Sequence, residues 1–330
     1  MTLRGLDKET HLAPWSDPKG PTLTRAGQTD PFPENEQLRK PMMTPRALVT
    51  GASGNVGREV IRALLARGVE VRAATSSCVT RAPLYPEVET ARLDLRDPAT
   101  FAPAVQGCSA LFLMRPPAIA DTKRTLNPFI DAARAAGIGP VVFLSVAGAE
   151  KNKIVPHHAV EAHLVARGGE FTLLRPGFFA QNFGDAYRLD LSLDDRLFVP
   201  AGEGLVTFVD TRDLGEVAAL ALTEPERHRG AAYTLTGPDP VSFYEAARIF
   251  CEALSRPIRY EPASVLGYGI HLRRRGLPWG QIAVQTLLHV GLRFGQASVV
   301  EPALASLLGR KGRTLAEYAR DHVALWARAR

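Results

Sequence analysis

The sequence predicts an α/β fold, a doubly wound parallel Rossmann-type sheet with a smaller C-terminal α/β substrate lobe. Three observations predict it. The apolar run Ala47-Leu48-Val49 ends in Thr50-Gly51-Ala52-Ser53-Gly54-Asn55-Val56-Gly57, and a helix with Val60, Ile61, Leu64 and Leu65 on its inner side follows at once. Apolar, β-branched runs then alternate with helical segments as far as residue 176, the pattern of strands joined by crossover helices. Beyond about residue 184 the segments are shorter and more mixed, as a second lobe requires.

The glycine turn carries the chemistry. Gly51 lets the strand turn sharply, Gly54 lets a pyrophosphate approach the backbone, and Gly57 lets helix and strand pack closely. The free N–H groups and positive dipole end of the helix then face the phosphates. A glycine pattern alone is weak, but here it stands between a strand and an amphipathic helix, which is the context that gives it meaning.

Strand two spans Val69 to Thr75, and its end bears on cofactor choice. An NAD-selective fold places an acid there for the ribose 2′-hydroxyl. This chain has Ser76 and Ser77 instead, with Arg58, Arg72 and Arg81 nearby. These cations favour a 2′-phosphate, unless they are plain surface charges. NADP(H) is therefore preferred and NAD(H) remains possible.

Val88 to Leu95 reads as strand three, and Asp97-Pro98 opens a helix with Asp as N-cap. Ala110 to Met114 is strand four, stopped by Arg115-Pro116-Pro117 at the end where open α/β sheets bind ligands. A helix over Asn127 to Ala136, strand five (Val141 to Ser145) and strand six (Phe171 to Pro176) follow. Leu197 to Pro200 and Val206 to Val209 read as short strands around a glycine turn, and Asp213 as the cap of a helix to Leu222. Tyr233 to Gly237 is another strand, Ser242 to Glu245 a capping box for a helix ending at Leu254, and Ile258 to Tyr260 closes the small lobe. Gly280 to Gly295 is apolar but interrupted by Gln281, Gln285, His289 and Arg293. It is too short and too polar to span a bilayer, and reads as core or as a lid over the substrate cleft.

With 330 residues, 45% of them hydrophobic and 22% charged, the chain is long enough for a large core. The net charge of +6 is scattered except at Arg273-Arg274-Arg275, which predicts neither a nucleic-acid nor a membrane partner. Cys78, Cys108 and Cys251 are isolated, so neither a disulfide framework nor a metal site is expected, and a cytoplasmic setting is. Residues 1–43 are polar, carry Pro14, Pro18, Pro21, Pro31, Pro33 and Pro41, and predict a disordered arm. The expected division is that arm, a dinucleotide-binding domain over 44–262 whose later part from about 184 belongs to the second lobe, and a basic helical extension over 263–330 completing it.

The glycine loop departs from Gly-x-Gly-x-x-Gly and resembles the atypical short-chain dehydrogenase/reductases, especially the NmrA-like group. From about residue 46 to 262 further landmarks resemble that group in order and spacing: Phe143-Leu144-Ser145-Val146-Ala147-Gly148, Leu174-Arg175-Pro176-Gly177-Phe178-Phe179-Ala180-Gln181-Asn182-Phe183, Thr207 to Asp213, and Tyr233 to Pro238. The resemblance implies an NADP(H)-binding fold with the nicotinamide near Ser145, Pro176 and Phe178. It implies cofactor contacts from Gly51, Ser53, Gly54, Asn55, Val56, Gly57, Ser76 and Arg81. Asp94 and Leu95 match the adenine-contacting pair, and Met114 and Arg115 end strand four beside the cofactor. Some relatives reduce quinones, azo compounds, imines or activated double bonds. Others bind the dinucleotide and report redox state to a protein partner.

The resemblance breaks at the catalytic acid. Short-chain dehydrogenases use Tyr-x-x-x-Lys, in which the lysine lowers the tyrosine pKa. Here His157 and Glu161 occupy the positions resembling that pair, and Ala159 stands where relatives that cleave aromatic ethers place a lysine. His157 and Glu161 share a helical face. A carboxylate beside the imidazole would raise its pKa and make it a proton donor; equally, the two form a structural pair. Phe179, Asn182 and Phe183 are the candidate substrate residues. Two functions stand open: reduction of an apolar conjugated small molecule, with His157 as donor and Glu161 tuning it, or a non-catalytic NADP(H) sensor acting through a protein partner.

Overall fold

The structure, a computed structural model, describes residues 46–76, 85 and 88–327. The expected arm over 1–43 and Arg81 lie outside the described residues. Six strands come first: β1 (Arg46–Val49), β2 (Glu70–Thr75), β3 (Glu89–Arg92), β4 (Ala110–Met114), β5 (Val141–Leu144) and β6 (Phe171–Pro176). The short β7 (Arg196–Leu197) and β8 (Leu205–Val206) precede β9 (Ala231–Leu235), and β10 (Val241–Ser242) and β11 (Arg259–Tyr260) close the series. The central sheet runs β3-β2-β1-β4-β5-β6-β9, and every neighbouring pair in it is parallel.

Crossovers carry α1 (Asn55–Leu65), α2 (Phe101–Val105), α3 (Leu126–Ala135) and α4 (Pro156–Arg167). The later helices are α5 (Arg188–Leu193), α6 (Thr211–Thr223), α7 (Pro225–His228), α8 (Phe243–Leu254), α9 (Val265–Arg274), α10 (Trp279–Leu292), α11 (Ala303–Leu308) and α12 (Leu315–Asp321). Alternation along the strands splits the core across the sheet. Ala47, Val49, Phe112 and Val142 pack with Val60, Leu64, Leu214 and Val217 of α1 and α6. Leu48, Leu111, Leu113 and Phe143 pack on the other side with Phe101, Phe129, Ile130, Val160 and Leu164 of α2, α3 and α4. Helix α6 reaches α1 because position 215 is glycine: a Cβ there would overlap the Glu59 backbone.

A third core unites the later segments. Phe183, Tyr187, Phe208, Phe243 and Phe250 pack with Tyr268, Leu272, Ile282, Leu292, Tyr318 and Trp326. The indole of Trp326 donates to the Phe183 carbonyl at 2.8 Å, so the end of the described chain is fastened to the segment just after β6.

Several local expectations are corrected. Helix α1 begins at Asn55, inside the glycine turn, with the N–H of Arg58 bonded to the Gly54 carbonyl. The N-cap of α6 is Asp210, whose carboxylate accepts from Arg212 N at 2.9 Å; Asp213 lies inside the first turn and takes Arg310 and Arg313 instead. The strand expected at Tyr233 is β9, and it extends the main sheet beside β6. β7 pairs with β11 and β8 with β10, so the two strands around the glycine turn do not pair with each other. Ser242 caps α8 through Glu245 N at 3.1 Å, whereas the reciprocal capping box occurs at Thr314 and Glu317 of α12.

Candidate functional site

The glycine turn lies where the strand order reverses, between β1 and β4. Thr50 closes that point: its hydroxyl accepts from Met114 N at 2.8 Å, and its N–H donates to the Phe112 carbonyl at 3.0 Å. The three glycines do different work. Gly51 has φ of 63° and lies under Met114, whose sulfur an added Cβ would overlap. A Cβ on Gly57 would overlap the Gly51 carbonyl. At Gly54 the same atom meets only the Gly51 carbonyl, at 3.3 Å, and otherwise fills open space above the first turn of α1. That turn has no acidic residue and no side-chain cap, so its leading N–H groups are left to an anion. Gly51 and Gly57 are glycine for the protein's own packing, whereas Gly54 faces open space.

The rest of the loop fits this cradle. Ser53 is exposed, and its carbonyl accepts from Arg58 Nε at 3.0 Å. Val56 is buried beneath the turn. The Asn55 amide donates to Asp185 Oδ2 at 2.6 Å, tying the loop to the segment that follows Phe183.

At the end of β2, Ser76 is exposed, and residues 71–76 include no acid. Asp94 accepts from Arg96 N at 2.9 Å in a local turn, and Leu95 is buried. Arg72, expected near a 2′-phosphate, is placed elsewhere. It is buried, donates to the Gln106 and Ala104 carbonyls, and pairs with Glu89 at 2.8 Å. A mid-strand residue points into the layer beneath the sheet and cannot reach past the strand end. Arg58, exposed on the first turn of α1, is the described cation left for that role.

Ser145 and Pro176 stand at the carboxyl ends of β5 and β6, joined by Ser145 N to the Leu174 carbonyl at 2.7 Å and Ala147 N to the Pro176 carbonyl at 3.0 Å. The Ser145 hydroxyl donates to Glu161 Oε1 at 2.5 Å. Glu161 also accepts from Arg175 Nε and Nη2 at 3.0 and 2.6 Å, and Glu150 lies 3.5 Å from the same guanidinium. Hydrogen bonding to Glu161 is the main reason that the Arg175 pKa rises. Glu161 is 4% exposed, and its oxygens are taken by β5 and β6.

This arrangement corrects the expectation that Glu161 raises the pKa of His157. The imidazole pKa falls to about 4, first through burial and then through the Arg115 charge, with Glu161 opposing both insufficiently. Arg115 Nε donates to His157 Nε2 at 3.3 Å. A guanidinium only donates, so Nε2 is the acceptor and the ring proton belongs on Nδ1. Arg115 meanwhile staples its own loop through the Pro116, Pro117 and Ile119 carbonyls. His157 is thus a neutral hydrogen-bond donor, not an imidazolium acid.

Beyond the end of β6, Phe178 is half-buried and meets the His289 ring edge-on at 6.1 Å. His289 Nδ1 donates to the Gln285 carbonyl at 2.6 Å, so Tyr187 O–H donates to Nε2, at 2.5 Å. Both groups are buried, which lowers the His289 pKa to about 4 and raises that of Tyr187. Beside them, Gln285 Oε1 and Thr286 Oγ1 are buried without a hydrogen-bond partner. This pair was not anticipated, although His289 interrupting an apolar helix was a visible signal.

Of the expected substrate residues, Phe179 is half-buried and its segment bridges to Val209, with Ala180 N donating to the Val209 carbonyl at 2.9 Å. Asn182 is half-buried, and its carbonyl accepts from Tyr187 N at 3.0 Å. Phe183 is a correction: it is fully buried, stacked on Phe250 with centroids 4.7 Å apart, and belongs to the later core. Among the described residues no group of three His, Cys, Asp or Glu side chains is placed to hold a metal.

Residues 43–304 match the model of the NmrA-like family. The chain is 29% identical to an NAD(P)H azoreductase of Xenophilus azovorans, over 86% of this chain and 99% of that protein. It is 27% identical to Prestalk A differentiation protein A of Dictyostelium discoideum, over 83% and 91% of the respective lengths. Its fold is similar to the crystal structure of a Citrobacter sp. triphenylmethane reductase complexed with NADP(H), with a TM-score of 0.74 and 25% identity, covering 84% of this chain and 99% of that one.

Proposed function

We propose that this chain, which belongs to the NmrA-like family, reduces a flat, conjugated apolar acceptor of the quinone, azo, imine or enone class by hydride transfer. At the coarser level it belongs with NAD(P)H-dependent oxidoreductases, and its cofactor is NADP(H), as in the similar azoreductase and triphenylmethane reductase. The observation that carries the reading is the glycine turn at the switch point, open above Gly54 and uncapped at the helix terminus.

When bound, NADPH supplies the hydride. The N–H groups of α1 would hold its pyrophosphate, Arg58 would offer a cation to the 2′-phosphate, and Ser145, Pro176 and Phe178 would flank the nicotinamide. Because Ser145 gives its proton to Glu161, its hydroxyl presents lone pairs to the cleft. His157, neutral and oriented by Arg115, orients an acceptor by hydrogen bonding and is not its strong acid. Acceptors of the proposed class need no strong protein acid, since solvent protonates them after hydride arrives. Catalysis then rests on proximity and orientation.

A second reading is favoured by the same imidazole and carboxylate, one held neutral and the other fully engaged: a sensor that binds NADP(H) and passes its state to a protein partner. Such a sensor must bind its partner differently in the two cofactor states. NADPH oxidation by purified protein against quinones, azo dyes, imines and enones, with NADH in parallel, separates the two. Acceptor-dependent oxidation with NADPH preferred supports the reductase. Tight NADP(H) binding with no turnover on any acceptor selects the sensor.

A further inference from the structure

From Pro262 to Val300 the chain contains no aspartate or glutamate and has four arginines. This stretch is α9, α10 and the turns around them. Both helices bury one side in the later core, through Tyr268 and Leu272 of α9 and Ile282, His289 and Leu292 of α10. Their other sides therefore face outward together. On α9, Leu266, Ile270 and Arg273 fall at i, i+4 and i+7, one stripe; on α10, Val284, Leu287 and Leu288 fall at i, i+3 and i+4, another. Leu287 is 73% exposed and Leu266 75%. Between the two helices the Arg273 guanidinium stands 5.7 Å from the Trp279 ring centroid, and Trp279 is 66% exposed. Phe294, 78% exposed, extends the face beyond the end of α10.

Outward-facing leucines and valines on a helix with no Asp, Glu, Lys or Arg are not the surface of a solvated monomer. Within α9, α10 and the turns around them the charges are of one sign. Arg275 is spent on Asp190 and Asp194, at 3.0 and 2.9 Å. Arg293 donates to the Pro200 and Ala263 carbonyls. Arg273 and Arg274 stay exposed at the rim. A second copy across a two-fold axis would set this acid-free, arginine-bearing face against itself, which like charges oppose. An apolar face edged by arginine and an exposed tryptophan fits a surface that is apolar below and negatively charged at its rim.

We propose that α9 and α10 dock the protein on an anionic lipid bilayer, Val284, Leu287 and Leu288 entering the acyl boundary while Arg273 and Arg274 meet the headgroup phosphates. This is peripheral binding and departs from the sequence expectation of no membrane partner; no described helix is long and apolar enough to cross one. It holds whatever the acceptor is.

The test is co-sedimentation of the full chain with phosphatidylcholine vesicles and with vesicles that also contain phosphatidylglycerol. Binding to the anionic vesicles is expected, weaker on the neutral ones and weaker at high salt. The double variant Arg273→Gln/Arg274→Gln should lose affinity by about fivefold per arginine. Leu287→Ser/Leu288→Ser should abolish binding, while NADPH binding and thermal midpoint, read on the same samples, stay as in the parent. Absence from both vesicle pellets overturns the proposal, as does pelleting that neither variant reduces. Soluble polyglutamate competing as well as anionic lipid would make the partner an acidic protein. A concentration-dependent dimer abolished by Leu287→Ser/Leu288→Ser would make it a second copy. Either result also overturns it.

Discussion

Glu161 gives both carboxylate oxygens to Arg175, at 3.0 and 2.6 Å, and one of them to Ser145 as well. The residue four places after His157 thus braces the ends of β5 and β6, and the imidazole is left to Arg115.

Removing that brace should be costly. Glu161→Ala leaves a buried hydroxyl and a half-buried guanidinium without their main acceptor, Glu150 remaining 3.5 Å from the latter, and should cost about 2 kcal/mol. Urea unfolding of the variant reads the loss directly; a change below about 1 kcal/mol would show that solvent replaces the carboxylate.

The state of His157 appears in the pH profile of turnover. With its pKa near 4, the ring is neutral throughout the working range. kcat/KM for an acceptor should therefore show no inflection near the ordinary histidine value of about 6.5. An activity that falls as pH rises through that value would restore the imidazolium acid.

Stability should fall on the acid side. His157 and His289 both have folded pKa values of about 4, below the unfolded value of about 6.5. Between those limits the unfolded chain binds more protons, so unfolding free energy decreases as pH falls from about 6.5 to 4. Each histidine contributes a loss of roughly 3 kcal/mol over that window. Denaturant midpoints measured across it test the sum. His289→Gln should flatten the dependence, whatever it does to stability at neutral pH.

The glycines separate cofactor binding from folding. Gly57→Ala forces a Cβ into the Gly51 carbonyl and should lower the thermal midpoint. Gly54→Val places its side chain in the open space above α1 and should leave the midpoint nearly unchanged. Its NADPH dissociation constant should rise at least about tenfold, a loss near 1.4 kcal/mol. Equal NADPH affinity in Gly54→Val would remove the cradle from the binding site.

Cofactor preference should rest on Arg58, since Arg72 is buried among carbonyls and Glu89. Arg58→Glu should reduce the NADPH-to-NADH ratio of kcat/KM by about tenfold or more. An unchanged ratio would assign the 2′-phosphate to other residues.

Local chemistry made much of this legible. Gly-x-x-Gly-x-x-Gly between a strand and an amphipathic helix has few conformations open to it, so the sequence alone determined that strand–turn–helix, the parallel doubly wound sheet and the positions of Ser145 and Pro176 at strand ends. The family resemblance marked α4, and the four-residue spacing put His157 and Glu161 on one face of it. Tertiary structure decided what those two residues meet there, because a carboxylate pairs with whichever donors are brought nearest in space, and Arg175 and Ser145 arrive from other strands. It likewise sent β9 into the main sheet, took Phe183 into the later core, carried Arg72 beneath the sheet, and set His289 against Tyr187 across 102 residues of chain. Spacing along the chain fixes which residues share a face; only packing fixes what that face touches.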